Sequence, residues 1–299
     1  MTMPKLYKYR YFNEDMVFKS DTLTGDKIPQ WQQVLYDGLI FPALPKDFND
    51  PFDCEFVLED GYVNSAAFTG RIIRELSKFC PLSETEKANL YTTNDPEETL
   101  RAILWKHFRR KDCRKMAKQL LEVPQTAMKT MKDALRVACF SEDNTSLLMW
   151  SHYAWNHKGF CIEYDFNNSA YSKHLKPVQY TKDRHFISKD FRDGSNRDFG
   201  NSIIAAALYK SDVWDYEKEW RLVIGRNDSL NTQDLLNPQY IDKIPYLCLK
   251  DFITAVYIGA KADQKYCLQI CEHYCGSDVK VYQMQMQTDC YKLKPIQIQ

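Results

Sequence analysis

Two glutamates stand one residue apart in the stretch WDYEKEWRLV, where Glu217 and Glu219 are followed by Arg221. If the strand that this stretch predicts begins early, alternation places both carboxylates and Arg221 on the same face. One carboxylate could then orient or deprotonate a substrate hydroxyl. The alternative is a solvated sheet edge with a Glu–Arg ion pair, which contributes little to stability.

A second cluster of reactive side chains lies in TSLLMWSHYAWNHKGFCIEYD, residues 145–165. On a helix, Trp150 and Tyr153 share one face, while Ser151 and His152 point elsewhere. The segment follows one predicted strand and precedes another, and a helix end above a sheet edge is where pockets commonly form. We therefore predict that His152 and Tyr153 line a pocket and that Trp150 belongs to the core.

The loop FNDPFD at 48–53 holds two acids and an amide. Pro51 restricts Asp50 to extended backbone angles, and Asn and Asp side chains bond to their own backbone in turns. A structural turn thus explains much of the motif. The functional alternative is that Asn49, Asp50 or Asp53 reaches a ligand or a metal ion, since oxygen ligands suit Mg²⁺.

The composition excludes several classes of function. The chain has 299 residues with 40 basic and 40 acidic side chains, so no global field favours nucleic acid or an anionic membrane. Only 10 residues are glycine, and no GxGxxG or GxxxxGK[ST] phosphate loop occurs. No stretch approaches the roughly 20 apolar residues that span a bilayer. The expected partner is a small molecule or nucleotide, with no membrane and no strong nucleic-acid field.

The start of the chain, MTMPKLYKYRYF, shows no apolar signal core. The ten cysteines lie scattered in apolar runs and form no CxxC pair. We expect reduced, buried thiols in a cytoplasmic protein and no metal ligands.

The elements that must position these side chains divide into strands and helices. Residues 61–136 have helical periodicity, with a capping box at Ser83 and Glu86 and a helix start at Asp95-Pro96. Helices are also predicted for SLLMWSHYA, residues 198–215 and ADQKYCLQICEHYC. Predicted strands are LYKYRYF, LIFPAL, ALRVACFSE, GFCIEYD, KPVQYT, EWRLVIG, ITAVYIGA and VKVYQMQMQ. We predict one α+β domain over 1–299, in which a mixed, mostly antiparallel sheet carries a mainly helical insertion at 61–136.

Short motifs along the chain follow a characteristic order: LYKYR, FNDPFD, VACFSE, LLMWSHYAWNHKGFCIEYD, PVQY, WDYEKEWRLV and ITAVYIGA. Together they resemble the family known as domain of unknown function 2971, whose members are uncharacterised bacterial proteins. The resemblance covers both ends of the chain and skips the helical stretch. The family name by itself implies little chemistry.

The chain also has a weaker similarity to ADP-ribosyltransferase-like folds. These folds carry a polar residue on a first strand, an aromatic or serine-bearing segment in the middle, and a later glutamate, often within ExE. The matching positions are Tyr9 or Arg10, then Ser151, His152 and Tyr153, then Glu217 and Glu219. The serine lies in an HYA context and not in the Ser-Thr-Ser of those folds.

This similarity implies NAD as the substrate, with ADP-ribose transferred or NAD cleaved. Glu219 would hold the nicotinamide-side ribose, Arg10 would hold phosphate by its guanidinium fork, and Tyr153 would stack on nicotinamide. A Glu219→Gln change would then abolish turnover and leave the fold intact. The implied catalytic residues are Glu219, Glu217 and His152, and the implied NAD contacts are Tyr9, Arg10, Asn49, Asp50, Asp53, Ser151, Tyr153 and Arg221.

Two other functions remain open at this point. In the first, the protein is a metal-dependent hydrolase of nucleic acid or a nucleotide, in which Asp50, Asp53 and Glu219 hold Mg²⁺ or Mn²⁺ and His152 acts as base. In the second, it is a non-catalytic sensor or partner-binding module of a defence or toxin system. That reading predicts no response to small molecules and exposed aromatic side chains at the site.

Overall fold

The computed structural model describes residues 2–15, 17–19, 27–109, 111–187, 196–224, 239–241 and 244–299. Contacts divide the chain into two units. The first comprises Met1–Ala43, Arg136–Tyr180 and Ser211–Gln299, and the second comprises Leu44–Leu135 and Thr181–Lys210. The single-domain organisation over 1–299 stays a prediction.

The strands and helices of the described residues are numbered in chain order. The strands are β1 Leu6–Arg10, β2 Val17–Lys19, β3 Lys27–Pro29, β4 Leu39–Ile40, β5 Val57–Leu58, β6 Arg136–Ser141, β7 Phe160–Tyr164, β8 Leu175–Pro177, β9 Gln179–Thr181, β10 Phe186–Ile187, β11 Tyr209–Ser211, β12 Glu219–Ile224, β13 Gln239–Ile241, β14 Ile244–Cys248, β15 Ile253–Ile258, β16 Lys280–Met286 and β17 Leu293–Gln297. The helices are α1 Gln30–Tyr36, α2 Ala66–Ser77, α3 Glu84–Thr92, α4 Pro96–Phe108, α5 Cys113–Leu121, α6 Val123–Ala134, α7 Leu147–Tyr153, α8 Asn196–Ala206 and α9 Gln264–Tyr274.

An eight-stranded sheet forms the first unit, in the order β17-β16-β15-β7-β1-β6-β12-β8. Its neighbouring strands are antiparallel except for β15 and β16, which are parallel. These strands are rich in aromatic and β-branched residues, which suit a pleated and buried surface. The α+β class with a mixed, mostly antiparallel sheet is therefore confirmed.

Both faces of this sheet are covered, and the residues of β1 alternate between them. Leu6, Lys8 and Arg10 lie on one face, and Tyr7 and Tyr9 lie on the other. The face of Leu6 forms the larger core, to which the sheet contributes Phe140, Ile162 and Leu222. Helices α1 and α9 cover this face with Trp31, Leu35 and Ile270. The face of Tyr9 forms a second core with α7 that includes Met149, Trp150, Cys161, Tyr257 and Met284.

The central strands β1 and β6 form a ladder at only one position, where Tyr7 is opposite Ser141. Farther along β6, Val137 pairs with Ala43 instead, and the backbone N–H of each residue donates to the carbonyl oxygen of the other at 2.9 Å. Between these two points the Lys8 Nζ donates to the Cys139 carbonyl oxygen at 2.6 Å. We call this interval between β1 and β6 the seam.

The second unit contains α2–α6 and α8. Its helix starts confirm two sequence predictions. Ser83 and Glu86 form a reciprocal capping box at α3, and the Asp95 side chain accepts from the Glu98 N–H at the start of α4, with Pro96 at the first helical position.

Two element predictions were wrong in their extent. The helix predicted over 198–215 ends at Ala206, and β11 and a 3₁₀ helix, Asp212–Glu217, follow it. Here Lys210 is extended and buried, and its Nζ lies 3.4 Å from an Asp53 carboxylate oxygen, so a tertiary ion pair prevails over helical periodicity. The strand predicted for LIFPAL is limited to Leu39–Ile40, before a proline that cannot donate to a ladder.

Candidate functional site

Glu217 lies in a turn and not on the strand that follows it. The 3₁₀ helix Asp212–Glu217 ends at Lys218, which has a left-handed φ of 45°, and β12 begins at Glu219. The Lys218 N–H donates to the Asp215 carbonyl oxygen at 3.1 Å and closes this turn. The strand predicted for EWRLVIG thus begins at Glu219 as predicted. The early start that would put both glutamates in one row does not occur, because the turn separates Glu217 from the row of Glu219 and Arg221.

Glu219 and Arg221 form a buried ion pair within β12. Arg221 Nε and Nη2 each donate to a different Glu219 carboxylate oxygen at 2.9 Å. Arg221 is 0% exposed and Glu219 is 5% exposed, so the pair is not the solvated edge considered from sequence. Because both carboxylate oxygens accept from the guanidinium fork, Glu219 is held in place by its own strand.

Glu217 is also buried, but its carboxylate points toward α7. The Tyr153 hydroxyl donates to Glu217 Oε1 at 2.6 Å, and the Ser141 hydroxyl donates to the Glu217 carbonyl oxygen at 2.6 Å. These two bonds join the last residue of α7, the last residue of β6 and the turn before β12. They fix a carboxylate and a phenol in direct contact.

Further rings form a series of contacts that begins at Tyr153. His152 is exposed, and its ring centroid lies 6.4 Å from that of Tyr153 and 6.2 Å from that of Tyr216. Trp214 and Tyr216 are 6.0 Å apart, and both are partly exposed. We call His152, Tyr153, Trp214 and Tyr216 the aromatic cluster; partly exposed rings of this kind can stack on a flat ligand.

The neighbouring residues of α7 have structural roles. Trp150 is 0% exposed, which confirms its prediction as a core residue, and its Nε1 donates to the Asn144 carbonyl oxygen at 2.7 Å. The Ser151 hydroxyl lies 3.2 Å from His157 Nε2, within hydrogen-bond distance. Burial lowers the pKa of His157, assisted by the charge of Lys261. Ser151 therefore contacts an imidazole at the far side of the turn and not the Glu217 carboxylate.

The first-strand candidates Tyr9 and Arg10 lie on opposite faces of β1. Tyr9 is 3% exposed, donates to the Asp143 carbonyl oxygen at 2.5 Å and packs edge-on against Trp150. Arg10 projects from the other face. Ser141 is paired with both Tyr7 and Glu219, so Glu219 lies on the face of Tyr7 and Tyr9. The register thus does not place Arg10 and Glu219 on one face, as a shared pocket would need.

Asn49, Asp50 and Asp53 belong to the second unit. Asp50 Oδ1 accepts from the Phe52 N–H at 2.9 Å, and the Asp53 N–H donates to the Asp50 carbonyl oxygen at 3.1 Å. The structural turn considered from sequence is therefore present. Contact of these side chains with a ligand stays a prediction.

Within the described residues, no group of three or more His, Cys, Asp or Glu side chains is placed to hold a metal ion. The metal-dependent alternative, whose ligands come from both units, stays a prediction. None of the helices found in the described ranges is both long enough and apolar enough to cross a membrane. All ten cysteines are free thiols, and three of them, at 248, 275 and 290, are exposed, contrary to the expectation of burial.

The sequence interpretation did not identify Lys8, Trp214 or Tyr216. LYKYR was predicted as a strand with no prediction for Lys8, which is only 6% exposed. Trp214 was assigned to the helix predicted over residues 198–215, which ends earlier, and Tyr216 directly follows that predicted range. The sequence signal for Trp214 and Tyr216 was the density of aromatic residues just before Glu217 and Glu219.

Comparison with known proteins supports one family. Residues 149–222 match the sequence model of a protein family of unknown function, DUF2971. This segment holds most of α7, the aromatic cluster, Glu217 and the Glu219–Arg221 pair. No curated protein and no solved structure matches the chain. Over residues 149–222, the resemblance of this chain to the DUF2971 family is confirmed.

Proposed function

We propose that this protein is an ADP-ribosyltransferase-like enzyme that binds NAD and either transfers its ADP-ribose or hydrolyses it. The observation that carries the proposal is the Tyr153 hydroxyl on the Glu217 carboxylate at 2.6 Å, inside a partly exposed aromatic cluster. NAD offers a flat nicotinamide ring joined to a ribose whose hydroxyls can donate to a carboxylate. An aromatic cluster beside a carboxylate matches both parts of that ligand.

In this proposal Glu217 takes the role that the sequence interpretation gave to Glu219. The Glu219 carboxylate already accepts from Arg221 through both of its oxygens. The Glu217 carboxylate is oriented toward α7 and adjoins the aromatic rings. Glu219 and Arg221 support the start of β12, and so the turn that carries Glu217.

The reaction breaks the bond between ribose C1′ and the nicotinamide nitrogen. Nicotinamide leaves as a neutral molecule with the bonding electron pair, and positive charge develops on the ribose ring. The Glu217 carboxylate stabilises that charge and accepts from a ribose hydroxyl, while His152 or Tyr216 stacks on nicotinamide. Water or an acceptor nucleophile then bonds to C1′ and releases its proton to solvent.

Release of nicotinamide from NAD tests this assignment. Glu217→Gln keeps an oxygen that can accept from Tyr153 but removes the negative charge, so we expect release to fall by at least about 100-fold. Glu272→Gln changes an exposed glutamate on α9 and should retain the wild-type rate. Release by Glu217→Gln at the rate of Glu272→Gln would contradict the role of Glu217. No release by the wild type, with or without cell extract as a source of acceptor, would reject the reaction.

A second candidate is a partner-binding module, favoured by exposed apolar side chains around α7. Leu147, Leu148 and Trp155 are 40%, 48% and 57% exposed, values that are unusual for large apolar residues this close together in the chain. This function predicts no thermal response to NAD. It also predicts that Leu148→Ser abolishes the capture of a partner while nicotinamide release stays undetectable in every variant.

A further inference from the structure

The seam between β1 and β6 contains two cations on the same face of β1. Lys8 is 6% exposed, and the one hydrogen bond that its Nζ makes to a described residue is to the Cys139 carbonyl oxygen at 2.6 Å. The Arg10 guanidinium, which is partly exposed, donates to the Tyr9 carbonyl oxygen at 3.3 Å. In the part of the chain that the structure describes, neither side chain makes an ion pair.

This arrangement departs from the usual treatment of buried charge. Buried cations are ordinarily paired with a carboxylate and satisfied by several hydrogen bonds, because removing them from water costs several kcal/mol each. The charge of the Glu219 carboxylate favours the charged form of Lys8, but this carboxylate is already paired with Arg221. The seam and its surroundings therefore hold an excess of positive charge.

A buried hydroxyl group accompanies the two cations. Tyr164 is 0% exposed, and its hydroxyl has no hydrogen-bond partner among the described residues. Tyr164 lies opposite Leu6 in the β1–β7 register, so it is on the same face of the sheet as Lys8 and Arg10. Burial raises the pKa of Tyr164, and the charge of Arg10 opposes this rise. The ring of Phe140 joins the group: Lys8 Nζ lies 5.0 Å from its centroid, and it packs edge-on against Tyr164 at 5.7 Å.

We propose that the seam and Tyr164 of the neighbouring strand β7 form an oxyanion site, in which Lys8, Arg10 and Tyr164 hold the phosphate group of a small molecule or free inorganic phosphate. The three side chains together supply ammonium, guanidinium and hydroxyl donors, which suit a tetrahedral oxyanion. Arg10 is the exposed edge of the site, and Lys8 and Tyr164 are its buried end. The site lies on the face of β1 opposite to Tyr9, so it is separate from the Glu217 site and does not depend on the proposed reaction.

Sulfate is the simplest probe, because it stays a dianion between pH 6 and pH 9. We expect isothermal titration at constant ionic strength in chloride to show saturable binding of one sulfate. Lys8→Met should weaken this binding at least about tenfold. Lys280→Met removes an exposed lysine from β16 and should leave it unchanged. Equal affinity in the two variants would overturn the site.

Tyr164→Phe provides a second variant in case Lys8→Met does not fold. It removes a hydroxyl that has no partner, so we expect the ligand-free stability to stay the same or rise. Sulfate affinity should nevertheless fall several-fold. The proposal would be refuted if Tyr164→Phe bound sulfate with wild-type affinity. It would also be refuted if the wild type showed no saturable sulfate binding at pH 6.

The pH dependence of sulfate binding gives an independent readout. The groups that act on Lys8 are Arg10 on β1, Cys139 on β6 and Glu219 on β12. Lys8 should lose its proton between pH 6 and pH 9, so the affinity of the wild type should fall by about tenfold or more over that range, and that of Lys8→Met should change less. A parallel pH dependence in both proteins would count against Lys8. Titrations with inorganic phosphate and with ribose 5-phosphate then show which kind of ligand the site takes. Higher affinity for inorganic phosphate indicates the free ion, and higher affinity for ribose 5-phosphate indicates the phosphate group of an organic molecule.

Discussion

Raising the pH from 7 to 9 should stabilise the wild-type protein relative to a Lys8→Met variant. Burial of Lys8 lowers its pKa from 10.5 to about 7, with a further lowering by the charge of Arg10 that Cys139 and Glu219 oppose. Between these two pKa values the unfolded chain keeps the lysine proton and the folded protein loses it. The unfolded state binds more protons in this window, so the free energy of unfolding rises with pH.

The magnitude follows from the two pKa values. Below pH 7 the lysine is charged in both states and the folded protein bears the full cost of burying it. From pH 7 to pH 9 that cost falls by about 2 kcal/mol, given 1.36 kcal/mol for each pKa unit. Methionine has a similar length and no charge, so a Lys8→Met variant lacks this contribution.

Urea unfolding at pH 7, 8 and 9 in chloride buffers measures the effect. Other titrating groups act equally on both proteins, so the difference between wild type and Lys8→Met isolates Lys8. Lys280→Met, which changes an exposed lysine, should follow the wild type at every pH. Stability curves for wild type and Lys8→Met that run parallel from pH 7 to pH 9 would refute the reasoning, because Lys8 would then keep its proton in the folded state.

Three further substitutions test an ion pair, a close backbone approach and a helix cap, each by chemical denaturation. Arg221→Met should destabilise the protein by about 3–5 kcal/mol, because it leaves the Glu219 carboxylate buried without its partner; a loss below about 1 kcal/mol would show that the pair is solvated. Gly159→Ala should cost about 1–3 kcal/mol, since a Cβ there would lie 2.1 Å from the Arg10 carbonyl oxygen, and an unchanged stability would contradict this close approach. Ser83→Ala should cost about 1 kcal/mol through loss of the α3 capping box, and no loss would mean that the cap is frayed in solution.

Local signals in the sequence were sufficient where a single element decides the outcome. The α3 capping box and the helix start at Asp95-Pro96 depend on neighbouring residues, and both occur as predicted. The burial of Trp150 followed from helical spacing in an apolar stretch. The α+β class followed from strands on both sides of a helical region.

The remainder depended on contacts between distant parts of the chain. The turn that separates Glu217 from β12 is closed by Lys218 in the left-handed conformation. Glycine or asparagine usually occupies such a position, and neither occurs there, so the sequence did not predict the turn. The burial of Lys8 depends on the gap between β1 and β6, which only the register reveals. Of the predicted site, the structure brings together His152, Tyr153 and Glu217, while Glu219 pairs with Arg221 and Arg10 lies on the other face of β1.

The most direct test of the central claim is the melting temperature with and without millimolar NAD, measured for the wild type, Glu217→Gln and Glu272→Gln. A ligand that binds only the folded state adds about 2.7 kcal/mol at a hundredfold excess over its dissociation constant. With an unfolding entropy of about 2.1 cal/mol/K per residue over 299 residues, that corresponds to a rise of about 4–5 °C. We predict that rise for the wild type and Glu272→Gln, and a smaller one or none for Glu217→Gln. An equal rise in all three proteins, or no rise in the wild type, would contradict the assignment of Glu217 and its aromatic cluster as an NAD site.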